Sequence, residues 1–251
     1  MRISARAAAP EPRTPGERNA ILLALSTEEY DRLQPDFERV SLRPRDVLFE
    51  PEQTIEHVYF MQEGVLSLLA MDEDAGAVEV GTIGNEGMAG LTVFHGMDAS
   101  PQQCFCQIDG VATRLSADIF RRELPSLTRL QAQLHRYAQC FFNDVAQSVA
   151  CMRLHSVQQR CARWLLMTHD RVGGRTFVLK QSFLSYILGT PRNSVSAAAT
   201  ALAKRGLIRY ARGRIEVLDR AGLESAACSC YRMTRVAYDD LLSSPAWRLS
   251  R

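Results

Sequence analysis

The stretch from Gly189 to Gly206, "GTPRNSVSAAATALAKRG", decides how this chain of 251 residues is read. Gly189 can take the left-handed conformation that ends one helix. Thr190 then stands where an N-cap belongs, and Pro191 at the first helical position, where its missing N–H costs nothing. The spacing predicts a second helix with Val195, Ala199, Leu202 and Ala203 on its inward face. Arg192, Asn193, Ser194, Ser196, Ala197, Thr200 and Lys204 remain for the outward side, which is small and polar with bases at both ends. Arg can bind guanine with two hydrogen bonds and Asn can do so with adenine. Ser and Thr can donate to base edges or phosphates, and Ala can meet a thymine methyl.

The flanks extend the same pattern. Upstream, "KQSFLSYILG" puts Phe183, Leu184, Ile187 and Leu188 on one side of a short helix. Downstream, Gly206 stops the second helix, and "LIRYARGRIEVLD" reads as two strands around Arg212-Gly213. That hairpin carries Arg209, Arg212 and Arg214, which suit phosphates, contacts that position a protein without reading sequence. Helix, tight turn, helix and basic hairpin together predict a winged helix-turn-helix that meets double-stranded DNA. The competing reading is a purely structural helical pair.

Charge is segregated in the same sense. The formal net charge is only +2, but residues 1–152 carry 13 Arg against 22 acidic residues, whereas residues 153–220 carry 13 basic residues against three acidic ones. An acidic first part and a basic second part predict that only the second meets a polyanion.

From about Phe37 to Leu115 the chain breaks into short β-branched and aromatic runs with turn signals every 8 to 12 residues or so. "HVYFMQ", Glu63-Gly64, "VLSLLAM", "DEDAG" and "AVEVGTI" follow one another, and later "CFCQI", Asp109-Gly110 and "VATRL". This predicts an antiparallel roll. After Leu124-Pro125-Ser126 the period changes. Leu127, Leu130, Leu134, Tyr137, Phe141, Val145, Val149 and Met152 recur at steps of three or four, one stripe on a long helix with Ser126 as its N-cap. The near-heptad stripe predicts a seam between two copies of the chain, against the alternative of an ordinary core helix. A further helix over about Ser156 to Asp170 ends at Gly173-Gly174.

The expected organisation is therefore α+β. Residues 1–18 form a disordered lead, 19–123 a β-roll sensory domain, 124–153 a dimerisation helix, 154–220 the winged helix-turn-helix and 221–251 a helical tail. Seven cysteines without a secretory signal predict reduced thiols and a cytoplasmic protein with no membrane partner. Cys104 and Cys106 share one face of a strand as small buried hydrophobes. With no CxxC and no zinc-finger spacing, no metal site is expected.

At this point the arrangement resembles the Crp/Fnr family of bacterial transcription regulators over about residues 20 to 220. Its most specific part is "ILGTPRNSVSAAATALAKRGLI", which is similar to the family's recognition-helix signature. The resemblance implies a cyclic-nucleotide-binding-like β-roll, a dimerisation helix and a winged helix, a homodimer on a palindromic operator, and RNA polymerase as a partner. It puts Arg192 and Asn193 on two base-contacting positions and Ala197 on a third, where the family often has Arg. Members that bind cyclic AMP place Gly-Glu and then Arg-Ser/Thr in the phosphate loop. Here Gly90-Leu91 and Ser100-Pro101-Gln102 stand instead, with Glu86 as an alternative acid, and no Arg or Lys occurs between Ala70 and Val111. An anionic phosphate would lack its cation, so no cofactor is expected and an effector of another class is left open.

An iron-sulfur sensor would need converging thiolates, yet the first 103 residues contain no Cys. The rival classes are a cupin-like β-roll enzyme, which needs an HxH pair where the roll has only His57 and His95, and a regulatory ligand-binding module that does not bind DNA. Neither accounts for the basic winged helix, and no catalytic motif is present.

Overall fold

A computed structural model describes residues 17–72, 76–174, 176–179, 184, 187–211 and 213–243. Two short helices, α1 (Ala20–Leu23) and α2 (Thr27–Leu33), lead into six antiparallel strands: β1 (Glu38–Leu42), β2 (Val47–Phe49), β3 (His57–Asp72), β4 (Gly76–Ile83), β5 (Met88–Ala89) and β6 (Gln102–Ser116). Their order is β1-β6-β3-β4, with β2 on β6 and β5 on β3. Short helices α3 (Leu91–Phe94) and α4 (Ala117–Glu123) precede the long α5 (Thr128–Leu154), which is followed by α6 (Val157–Arg171). The remaining elements are β7 (Thr176–Val178), α7 (Arg192–Lys204), β8 (Ile208–Ala211), β9 (Arg214–Val217), α8 (Arg220–Ala226) and α9 (Ser229–Ser243), with a small sheet in the order β7-β9-β8. The α+β class is the one the sequence predicts. No described helix is long and apolar enough to cross a membrane.

Glu63-Gly64 and Asp109-Gly110 are not turns. β3 and β6 run straight through them, and the ladder is irregular on both sides of Glu63, which pairs with Val111. A Cβ on Gly110 would collide with the Glu63 carbonyl, and one on Gly64 would lie 2.7 Å from the Asp109 carbonyl. Two glycines facing each other let the strands close up and bend, so the turn signal here is a bulge. Cys104 and Cys106 are fully buried, and burial pushes the Cys106 thiol up to about 12.

The expected lead of residues 1–18 falls outside the described residues up to 16, but Glu17 and Arg18 are ordered in contacts. Glu17 is buried and accepts from the Asn19 N–H, while the Arg18 N–H donates to Gln62.

Ser126 does not cap α5: its hydroxyl donates to the Glu123 carbonyl. The carboxylate of Glu29, from α2, instead accepts from the N–H groups of Arg129 and Leu130. A negative side chain at a helix N-terminus satisfies orphan donors and complements the dipole. It arrives from about 100 residues away, which local sequence reading cannot see.

The stripe on α5 divides. Leu127, Leu130, Leu134 and Tyr137 are buried in the same core as the roll, and Phe141 packs on its edge. These five serve the chain's own core, so the expected two-copy seam does not run along the whole helix. Further on, Val145 is half-buried, and Phe142, Val149 and Met152 are 66%, 60% and 44% exposed. A second stripe, absent from the sequence reading, faces α9 in antiparallel register. Cys140 meets the Ala237 carbonyl, Asp144 meets Thr234, Gln147 meets Cys230 and Cys151 meets Cys228.

Candidate nucleic-acid interface

The turn before α7 is built as a helix stop. Leu184, Ile187 and Leu188 are buried in the second core, whereas residues 180–183 and 185–186 of the predicted first helix lie outside the described residues. Gly189 takes φ +53 with open space around its Cα. Thr190 is not the N-cap: its hydroxyl donates back to the Leu188 carbonyl, and Pro191 holds the N-cap position in extended geometry, φ −52 and ψ 142. The hydroxyl thus closes the preceding turn rather than opening the next helix, and α7 begins one residue later than the sequence suggests.

α7 is two-faced. Val195, Ala198, Ala199 and Leu202 are buried, with Ala203 partly buried beside them. Arg192, Asn193, Ser194, Ala197, Thr200 and Lys204 are exposed, and Ser196 is half-buried. The alanines on the inner face let α7 lie close to α6, whose Cys161, Leu165 and Leu166 share its core. On the outer face Ser196, Ala197 and Thr200 leave the middle of the helix without a bulky side chain.

The hairpin β8–β9 follows, with Gly213 at φ +75. Arg214 is exposed, and Arg212 lies outside the described residues. Arg209 differs from expectation: it bonds Glu216 at 2.6 Å, its direct cross-strand neighbour. An exposed pair of this kind is weak, but it reduces the positive field on that side of the hairpin.

Several basic residues counted toward the positive segment are structural. Arg171, the last residue of α6, makes a two-pronged bond with Glu86 at 2.6 and 3.1 Å and donates to Thr82 at 2.5 Å. The loop "GNEG" is shaped for this contact: a Cβ at Gly84 would collide with the Arg171 side chain, and one at Gly87 with the Tyr137 hydroxyl. Arg163 binds Asp144 of α5 at 2.7 Å and Ser148 at 3.1 Å. Arg160 donates to the Leu188 carbonyl, and Arg220 pairs with Asp170 and Glu224. The exposed cations of α7 and its hairpin, among the described residues, are then Arg192, Lys204, Arg205, Arg209 and Arg214. Arg205 was not singled out by the sequence reading, although it follows directly on the helix.

The Glu86 carboxylate, named from sequence as an alternative ligand acid, is thus engaged by Arg171 and ties its loop to the end of α6. Gly90, at φ +88, precedes the short helix α3, and Leu91 is half-buried on the core. The buried Ser100 exchanges hydrogen bonds with Gln102. Beside the Glu86–Arg171 contact a cleft of about 250 Å³ opens, lined in part by Asn85, Asp170, Tyr231 and Tyr238.

The structure also gathers residues that the sequence left scattered. Cys151, His155, Cys228 and Cys230 bring one ligand atom each within 4.8 Å of one another. No spacing rule finds them, because Cys151 and Cys228 are 77 positions apart.

Comparison with known proteins agrees with this architecture. Residues 159–226 match the Crp-like helix-turn-helix domain. FixK2 from Bradyrhizobium japonicum superposes with a TM-score of 0.64 at 14% identity, covering 76% of this chain and 98% of the other. A transcriptional regulator of the CRP family from Thermus thermophilus gives 0.62 at 18% identity, over 75% and 96%. A putative regulator of the Crp/Fnr family from Eubacterium rectale gives 0.61 at 15%, over 80% and 94%. No curated protein sequence matches this chain. Residues 159–226 thus form a Crp-like helix-turn-helix domain, carried on a chain with the fold of the Crp/Fnr regulators.

Proposed function

We propose that the protein is a sequence-specific, non-enzymatic transcription regulator that binds duplex DNA through the exposed face of α7. The observation that carries this reading is the division of one 13-residue helix into a buried apolar face and an outer face with Arg192, Asn193, Ala197, Thr200 and Lys204 exposed and Ser196 half-buried. Arg192 and Asn193 are the base readers, Arg205 and Arg214 bind phosphates, and Ala197 departs from the Arg that the resemblance would lead one to seek. The roll biases the placement of α7 through the Glu86–Arg171 and Asp144–Arg163 contacts, under an effector other than a cyclic nucleotide.

The protein acts as a homodimer on a roughly palindromic site, with half-sites about one helical turn apart. Phe142, Val145, Val149 and Met152 support this, since they form an apolar strip on α5 that the described residues leave exposed or only half-buried. Binding to labelled duplex should weaken steeply as salt rises, several phosphate contacts each contributing to the slope; flat or absent binding would remove the reading. Paired F142D and V149D substitutions should convert the dimer to a monomer in light scattering while the far-ultraviolet circular dichroism stays that of the folded parent, with an unfolding midpoint that no longer depends on protein concentration.

A further inference from the structure

We infer that Cys151, His155, Cys228 and Cys230 form a binding site for one tetrahedral divalent metal ion of the zinc class. Cys151 lies in the last turn of α5, and His155 is the residue that ends it, with extended backbone at φ −117 and ψ 149. Four positions apart, the two side chains reach the same side of the helix end. Cys228 and Cys230 flank the start of α9.

The ligand atoms are close enough to converge on a single ion. Cys151 and Cys228 sulfurs are 3.5 Å apart, as are the Cys230 sulfur and His155 Nδ1, and all four atoms lie within 4.8 Å of one another. Around a tetrahedral zinc with bonds of roughly 2.0 to 2.3 Å, ligand atoms stand about 3.3 to 3.8 Å apart. An iron-sulfur cluster distributes its ligands over several irons and spreads them more widely. A disulfide between Cys151 and Cys228 would leave Cys230 and His155 without a purpose.

The surroundings fit a metal site. All three cysteines are buried and form an apolar cluster of their own, while His155 is half-buried. Gln147 donates to the Cys230 sulfur at 3.1 Å, the kind of outer contact that orients a thiolate ligand. The site sits at Leu154–Ser156, the connection between α5 and α6. An ion there would tie the start of α9 to the connection between α5 and α6. Nothing in the α7 interface depends on it, so the two readings can fail separately.

The test uses the full chain, purified under reducing conditions and stripped with a chelator. Elemental analysis after reloading with Zn²⁺ should give one ion per chain. Co²⁺ should produce the visible bands of tetrahedral coordination together with thiolate charge-transfer absorption. C228S and C230S should each weaken Zn²⁺ binding by about 100-fold or more, whereas C140S, outside the cluster, should leave it unchanged. If C228S unfolds, the Co²⁺ spectrum of the intact protein still decides: octahedral bands without charge transfer overturn the proposal. So does Zn²⁺ binding that survives in C228S, or a stripped protein that takes up no metal.

Discussion

The arginines of the segment 153–220 fall into two groups that composition treats as one. Arg163 and Arg171 have side chains less than one-tenth exposed and are engaged by Asp144 and Glu86. Arg192 and Arg214 are exposed on α7 and its hairpin. The first group joins the helix-turn-helix domain to α5 and the roll, and the second faces solvent where a polyanion can reach it. A net charge says that a segment prefers anions on average, but only burial says which cations are available to them. The interface is consequently smaller than the charge count suggests.

The largest effect should come from breaking the buried group. R171A leaves Glu86 charged without its partner, and removing one member of a buried pair costs about 3 to 5 kcal/mol. Urea unfolding should show that loss, and the double variant R171M/E86Q should recover much of it. If R171A unfolds like the parent protein, the junction is not held as described.

A smaller effect belongs to Glu79, whose carboxylate accepts from Ser67 at 2.5 Å and Gln107 at 2.6 Å near the junction. Burial raises its pKa from 4.5 to about 7. The folded protein keeps a proton that the unfolded chain releases, so this stability is full below about 4.5 and is lost as pH rises through about 7. E79Q should flatten that fall in an unfolding series across this window. An identical slope in E79Q would assign the pH dependence elsewhere.

The exposed group should give the smallest change in stability and a change of a different kind. R214A should leave unfolding within about 0.5 kcal/mol of the parent. It should weaken binding to all duplexes alike and lower the salt slope by about 1. Weakening confined to one sequence would make Arg214 a base reader and blur the division.

What the sequence revealed was what is local. Gly189, Pro191 and the period of Val195, Ala199 and Leu202 place α7 almost to the residue, because a helix stop and a helix face are settled within a few positions. The roll was legible in class but not in detail: Gly64 and Gly110 read as turns, since a bulge formed by two strands facing each other has the same local signal. Glu86, Glu29 and the four residues around Cys151 were misassigned or missed for one reason. Their partners lie far away in sequence, and the side chain that decides each role becomes its neighbour only in the folded chain.

The central claim, that the exposed face of α7 reads DNA, is tested most directly by the base preferences of Arg192. Duplexes selected from a random pool should yield a two-fold symmetric site for the parent protein. R192A should lose about 1 to 3 kcal/mol on that site and lose discrimination at one base position per half-site, with the other positions retained. An unchanged preference profile in R192A would contradict the account.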